Sequence, residues 1–146
     1  MLVAGSRVIA TVAAMLICVS GSFMALAAEA EKAGIDPAKS ERINGTNLSR
    51  VILTERAAHR LDIKTAKLAQ EPNGKRSVPY SALFYETDGG VWVYEAEGPL
   101  SFVRHQVVVD AIEGDQAVLT NGPPVGAQVV TVGVPELYGI EKGVGE

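Results

Sequence analysis

The run VWVYEAEGPLSFVRHQVVVDAIEGDQAVLTNGPPVGAQVVTVG, residues 91–133, decides how this chain is read. Its apolar stretches are short and rich in β-branched and aromatic residues. They are broken at Gly98-Pro99, Glu113-Gly114-Asp115 and Gly122-Pro123-Pro124. Short apolar runs bounded by such turn residues read as β-strands of a small barrel or roll. Along Phe102–Val109, the residues Val103, Val107 and Val109 share a face with His105, against Arg104, Gln106 and Val108. No grouping of nucleophile, base and metal ligand is spaced along the run, which points to shape recognition rather than catalysis.

Upstream, Asp88-Gly89-Gly90 reads as a hairpin turn after a strand near Ser81–Tyr85. Val78-Pro79 suits an edge or the start of a strand, because proline cannot donate to a central ladder. Glu71-Pro72-Asn73-Gly74-Lys75 is another turn, and Ile63–Leu68 alternates apolar and polar residues with an expected bulge or frayed end. Thr54 is a natural N-cap for a short helix carrying Glu55, Ala57, Ala58 and Leu61. The expectation is a mainly β domain, residues 51–140: a barrel or roll of about six strands with one short helix. Residues 28–50 are polar and broken by Gly34, Pro37 and Gly45, and read as a flexible linker; residues 141–146 read as a tail. Asn47-Leu48-Ser49 fits an N-glycosylation pattern that the rest of the chain gives no reason to use.

The first 27 residues read as a signal helix. Arg7 is the lone early charge, Val8–Val19 is apolar, and Ala25-Leu26-Ala27 matches the small-x-small cleavage pattern just ahead of Glu29. Residues 8–28 are also just long enough to span a bilayer, so an uncleaved N-terminal anchor is the competing reading. Lipidation at Cys18 is weaker, because bulky Ile17 precedes it. The only Cys and all three Met lie in this leader, so the mature chain has no disulfide framework. Losing Arg7 leaves 12 basic against 17 acidic residues, a net charge of −5 on about 119 residues. So acidic a domain lacks the positive field that nucleic acid requires.

Two blocks carry a family resemblance. Val51–Leu68 (VILTERAAHRLDIKTAKL), and Val78-Pro79-Tyr80-Ser81-Ala82-Leu83 through Val91–Tyr94 to Phe102-Val103-Arg104, resemble the membrane-proximal domain of periplasmic adaptor subunits (membrane fusion proteins) of resistance-nodulation-division efflux pumps. Gly122 … Gly126-Ala127-Gln128-Val129-Val130-Thr131 and Glu136-Leu137 complete the pattern. Asp62 stands where the family usually has glycine, Pro123 where an apolar residue is usual, and Ala127 where an acid is common. A full adaptor places a lipoyl-like domain, a helical hairpin and a β-barrel between the blocks; here only Ala69–Ser77 joins them. The resemblance implies a stand-alone membrane-proximal domain, transmembrane-transport machinery of the periplasm, contacting an inner-membrane efflux transporter, a full-length adaptor, or both.

Individual residues sharpen this little. His59 and His105 have no partner at ligand spacing, and soft sulfur donors are absent from the mature chain. Glu95 and Glu97 share a strand face as a solvated pair, Ser81 lacks a His-Asp context, and Gly89-Gly90 opens no helix. The reading expects no catalysis, no cofactor and no metal, with Trp92, Tyr94 and Phe102 in cross-strand packing. Leu137, Tyr138 and Ile140 are the expected partner-contact residues, because a tyrosine among apolar neighbours suits an interface anchor. The alternative class is a small periplasmic metal- or ligand-binding module.

Overall fold

Strand order and turn chemistry build a curled sheet. The structure, a computed structural model, describes residues 37–144. The leader, its cleavage positions Ala25 and Ala27, the linker before residue 37, and residues 145–146 lie outside that range. Ten strands run β1 (Ala38–Arg42), β2 (Ser49–Leu53), β3 (Lys64–Lys67), β4 (Ala69–Gln70), β5 (Arg76–Pro79), β6 (Phe84–Tyr85), β7 (Val91–Gly98), β8 (Ser101–Glu113), β9 (Gln116–Asn121) and β10 (Gln128–Val132). Helix α1 spans Glu55–Arg60, α2 spans Val134–Lys142, and a single 3-10 turn covers Tyr80–Ala82. The pairing order is β3-β10-β7-β8-β9-β5-β4, all neighbours antiparallel. β3 and β4 are two halves of one segment parted by Leu68, so the sheet curls round to meet itself as a nearly closed barrel of six staves.

Pleating explains why this barrel carries two cores. Consecutive strand residues point to opposite faces, so Val93 and Tyr94, like Val129 and Val130, land in different clusters. The inner cluster holds Leu68, Val78, Leu83, Val93, Val107, Leu119 and Val129. Side chains therefore fill the interior, as in other small barrels. The outer cluster lies on the β7–β8–β10 face and holds Val51, Leu53, Tyr94, Phe102, Val130 and Leu137. The β1–β2 hairpin, α1 and α2 supply its cover.

Two boundaries differ from the sequence reading. The linker expected through Arg50 is a β-hairpin from Ala38, because β2 pairs with β8 through Arg50–Ile52 and β1 pairs with β2. The charged string AKSER has little β-propensity of its own, and pairing imposes its conformation. The last strand expected from the sequence is β10, and the chain after it is helix α2, which runs into the expected tail at Glu141 and Lys142; it begins at Gly133 with φ +93 and ends at Gly143 with φ +68. Gly133 is doubly constrained: its backbone is left-handed, and a Cβ there would overlap the Ile63 Cδ1 methyl.

Helix α1 starts as expected, with Thr54 accepting from the Ala57 amide at 3.2 Å. It ends in a complete Schellman motif: Ile63 N–H donates to Ala58 O at 3.1 Å and Asp62 N–H to His59 O at 3.2 Å. The left-handed residue this motif needs is Asp62, at φ +49, among the described residues the one non-glycine with positive φ. The adaptor-like string thus departs from glycine at a position where backbone geometry favours glycine. Asp is among the few side chains that tolerate that geometry. Asp62→Gly is expected to raise stability by about 0.5–1 kcal/mol and Asp62→Val to lower it by about 1–2 kcal/mol, read by urea denaturation. Equal midpoints for all three proteins would contradict the assignment.

Candidate functional site

A charged residue in the middle of an apolar strand organises the outer face. Arg104, on β8, registers with Tyr94 of β7 and is only 5% exposed. Its guanidinium carbon sits 4.6 Å from the centroid of the Trp92 ring. Arg104 Nη1 lies 2.6 Å from Glu86 Oε1, and Arg104 Nε lies 3.0 Å from Glu141 Oε1. These two N–H bonds fall outside good hydrogen-bond alignment, so the contacts are chiefly Coulombic. Lys142 Nζ approaches Glu86 Oε1 at 3.3 Å, which gives two cations and two carboxylates with no residual charge.

Glu141 fastens α2 to the sheet. Its carboxylate accepts from Tyr94 Oη–H at 2.6 Å and from the Ser49 backbone amide at 3.3 Å, in addition to facing Arg104. Tyr138 Oη–H donates to Glu86 Oε1 at 3.2 Å, so both acids are shared between α2 and the barrel. Burial pushes the Glu86 carboxyl up, but the cations Arg104 and Lys142 beside it outweigh burial and hold the group below the usual carboxylate range. Burial, followed by the bond to Glu141, raises the Tyr94 hydroxyl far above its ordinary value.

Beside this anchor lies an open apolar groove of about 280 Å³, lined by Leu83, Phe84, Tyr85, Val134, Pro135 and Tyr138 with Ser81. Phe84 stacks on Tyr94 with centroids 5.1 Å apart and meets Tyr138 at 5.5 Å. The groove floor is thus continuous with the buried aromatic layer. Tyr85 is 57% exposed on the groove and Tyr80, in the adjoining 3-10 turn, is 47% exposed. Tyr is enriched at interface hot spots because a rigid ring supplies contact area at little entropic cost.

The expected contact residues separate. Leu137 is fully buried in the outer core and is corrected to a packing residue, because the helical turn points it at Val130 and Phe102 rather than at solvent. Ile140 is half-buried against the same cluster, and only Tyr138 lines the groove. His105 does find a partner, Glu95 Oε2, at 3.0 Å, and Glu97 pairs with Arg50 at 2.8 Å, so the two acids serve different neighbours. His59 is exposed on α1. Among the described residues, no three His, Cys, Asp or Glu converge as a metal site, and no helix is long and apolar enough to cross a membrane. The sequence reading missed Arg104, Glu86, Glu141, Tyr80 and Tyr85. Arg104 could have been suspected as a charge inside a run buried on both faces.

No protein-family model, curated protein or solved structure matches this chain.

Two outcomes follow from the anchor. Glu141→Ala leaves Arg104 half-compensated in a buried setting and is expected to cost about 3–5 kcal/mol, measured by denaturant unfolding. The pH dependence has a definite sign. Glu86, lowered in the fold, contributes stability above its ordinary value of 4.5, and this is lost as pH falls further. Tyr94, raised in the fold, contributes stability that is full below 10 and lost as pH rises beyond it. Fluorescence of Trp92, the sole tryptophan, should therefore hold a plateau between those limits and change on both sides.

Proposed function

We propose that this chain is an exported, periplasmic accessory subunit that docks by protein–protein contact on an inner-membrane efflux transporter or on that pump's full-length adaptor. The observation that carries the reading is the apolar groove lined by exposed Tyr85, with exposed Tyr80 in the adjoining turn, and rooted in the ion-paired anchor. A filled barrel offers its outer surface rather than its interior for recognition. The two adaptor-like sequence blocks support the choice of partner. Val51–Leu68 supplies β2, α1 and β3, and Val78–Val132 supplies the staves from β5 to β10, so both belong to one body.

Tyr85 and Tyr80 anchor a partner segment, Phe84 and Tyr138 form the floor, and Glu86 holds Tyr138 in place through its hydroxyl. The chemistry asked of the site is burial of apolar surface, with no bond made or broken.

A photo-crosslinking residue in place of Tyr85 in the full chain should capture a transporter or adaptor subunit in cells. Tyr85→Ala is expected to weaken that association about tenfold or more, while unfolding stability stays within about 0.5 kcal/mol of the parent. Crosslinks confined to unrelated soluble proteins, or unchanged capture by a Tyr80→Ala, Tyr85→Ala double variant, would overturn the reading.

A further inference from the structure

We propose that Asn44, in the turn between β1 and β2, is a site of spontaneous deamidation, and that the fold protects the other two Asn-Gly steps of the chain, Asn73-Gly74 and Asn121-Gly122. The sequence at the three steps is the same pair, so any difference between them belongs to tertiary structure.

The chemistry begins when the glycine amide gives up its proton to base and its nitrogen attacks the asparagine Cγ. A bond forms between that nitrogen and Cγ, the bond from Cγ to the side-chain nitrogen breaks, and ammonia leaves. Water then opens the five-membered imide at either carbonyl, giving aspartate or isoaspartate and adding one negative charge. Solvent water is the only co-reactant. Glycine permits the attack because no side chain crowds its nitrogen.

The first requirement is a glycine N–H open to base, and a hydrogen-bonded amide meets it only after local opening. Gly74 N–H donates to Glu71 O at 2.9 Å, and the Asn73 side chain is itself held, accepting from the Lys75 amide at 2.9 Å. At the Asn121-Gly122 step the Gly122 N–H meets only the neighbouring Asn121 Oδ1, at 2.9 Å, and the restraint comes from the backbone: Arg76 Nη1 donates to Gly122 O at 3.1 Å and Asn121 pairs with Val108 in the ladder. The third step differs. The turn is closed by Thr46 N–H to Ile43 O at 3.2 Å and by Ile43 N–H to Leu48 O at 2.9 Å. Among the described residues, the Gly45 N–H has no acceptor. Asn44 and Gly45 are both exposed, as are Asn73 and Gly74, and Gly45 at φ +80 matches Gly74 at φ +81, so it is the free amide that sets Gly45 apart from Gly74. The reacting pair is therefore presented to solvent on the loop that covalently joins β1 to β2. Isoaspartate there would lengthen the backbone inside the turn and loosen β1, whose Ala38 packs on the outer core.

The full chain, incubated at mildly alkaline pH, is digested and mapped by mass spectrometry with fragmentation that separates aspartate from isoaspartate. Asn44 should convert faster than Asn73 and Asn121 by a factor of about ten, which corresponds to an opening free energy of about 1.4 kcal/mol at the protected amides. The same digest after incubation in denaturant should show the three steps converting at similar rates. Hydrogen exchange supplies an independent reading: the Gly45 amide should exchange ahead of those of Gly74 and Gly122. A protected Gly45 amide, or Asn73 or Asn121 converting as fast as Asn44 in the folded chain, would overturn the proposal.

Discussion

The arrangement rests on one buried cation. Arg104 is held inside the outer face by Glu86, Glu141 and the Trp92 ring, and those partners come from the loop after β6, from α2 and from β7. A guanidinium removed from water costs several kcal/mol unless carboxylates compensate it. The cheapest way to supply two carboxylates here is to dock the C-terminal helix, which brings Glu141, and to order the loop that carries Glu86. Charge neutrality thus specifies where α2 lies. Apolar burial of Val134 and Leu137 then adds the larger, less directional stabilisation.

That docking creates the surface on which the functional proposal stands. Val134, Pro135 and Tyr138 form one wall of the groove, and Phe84 and Tyr85 of β6 form the other. The tyrosine hydroxyl bonded to Glu86 links groove and anchor, so the interface candidate is built on a rigid element instead of a free loop. Tyr80 and Tyr85 can remain exposed because the apolar cost of their rings is small beside the burial beneath them.

A sheet buried on both faces imposes its own constraint on sequence. β7, β8 and β10 must place apolar or satisfied polar groups at nearly every position where both cores overlap, and alternate only beyond that region. β8 shows the change along its length: Phe102, Val103 and Arg104 are all buried, whereas from Gln106 to Ile112 the pattern alternates. The absence of alternation at its start is the mark of a second covering layer.

Much of the barrel was legible from local chemistry. Strand runs in residues 91–133, the Thr54 cap and the Asp88-Gly89-Gly90 turn all carry short-range signals, because pleat, cap and turn depend on neighbours in sequence. Gly133, Pro135, Glu136 and Gly143 are boundary signals for helix α2 that the sequence reading did not use. The groove and the anchor were not, since Glu86, Arg104 and Glu141 meet across long separations and no local pattern announces such a meeting. AKSER became a strand only through its pairing with β2, and the three identical Asn-Gly steps acquired different hydrogen bonding only in the folded chain. Local conformation follows from nearest neighbours in the chain; which charges are buried together, and which amides stay open to water, follows from three-dimensional packing alone.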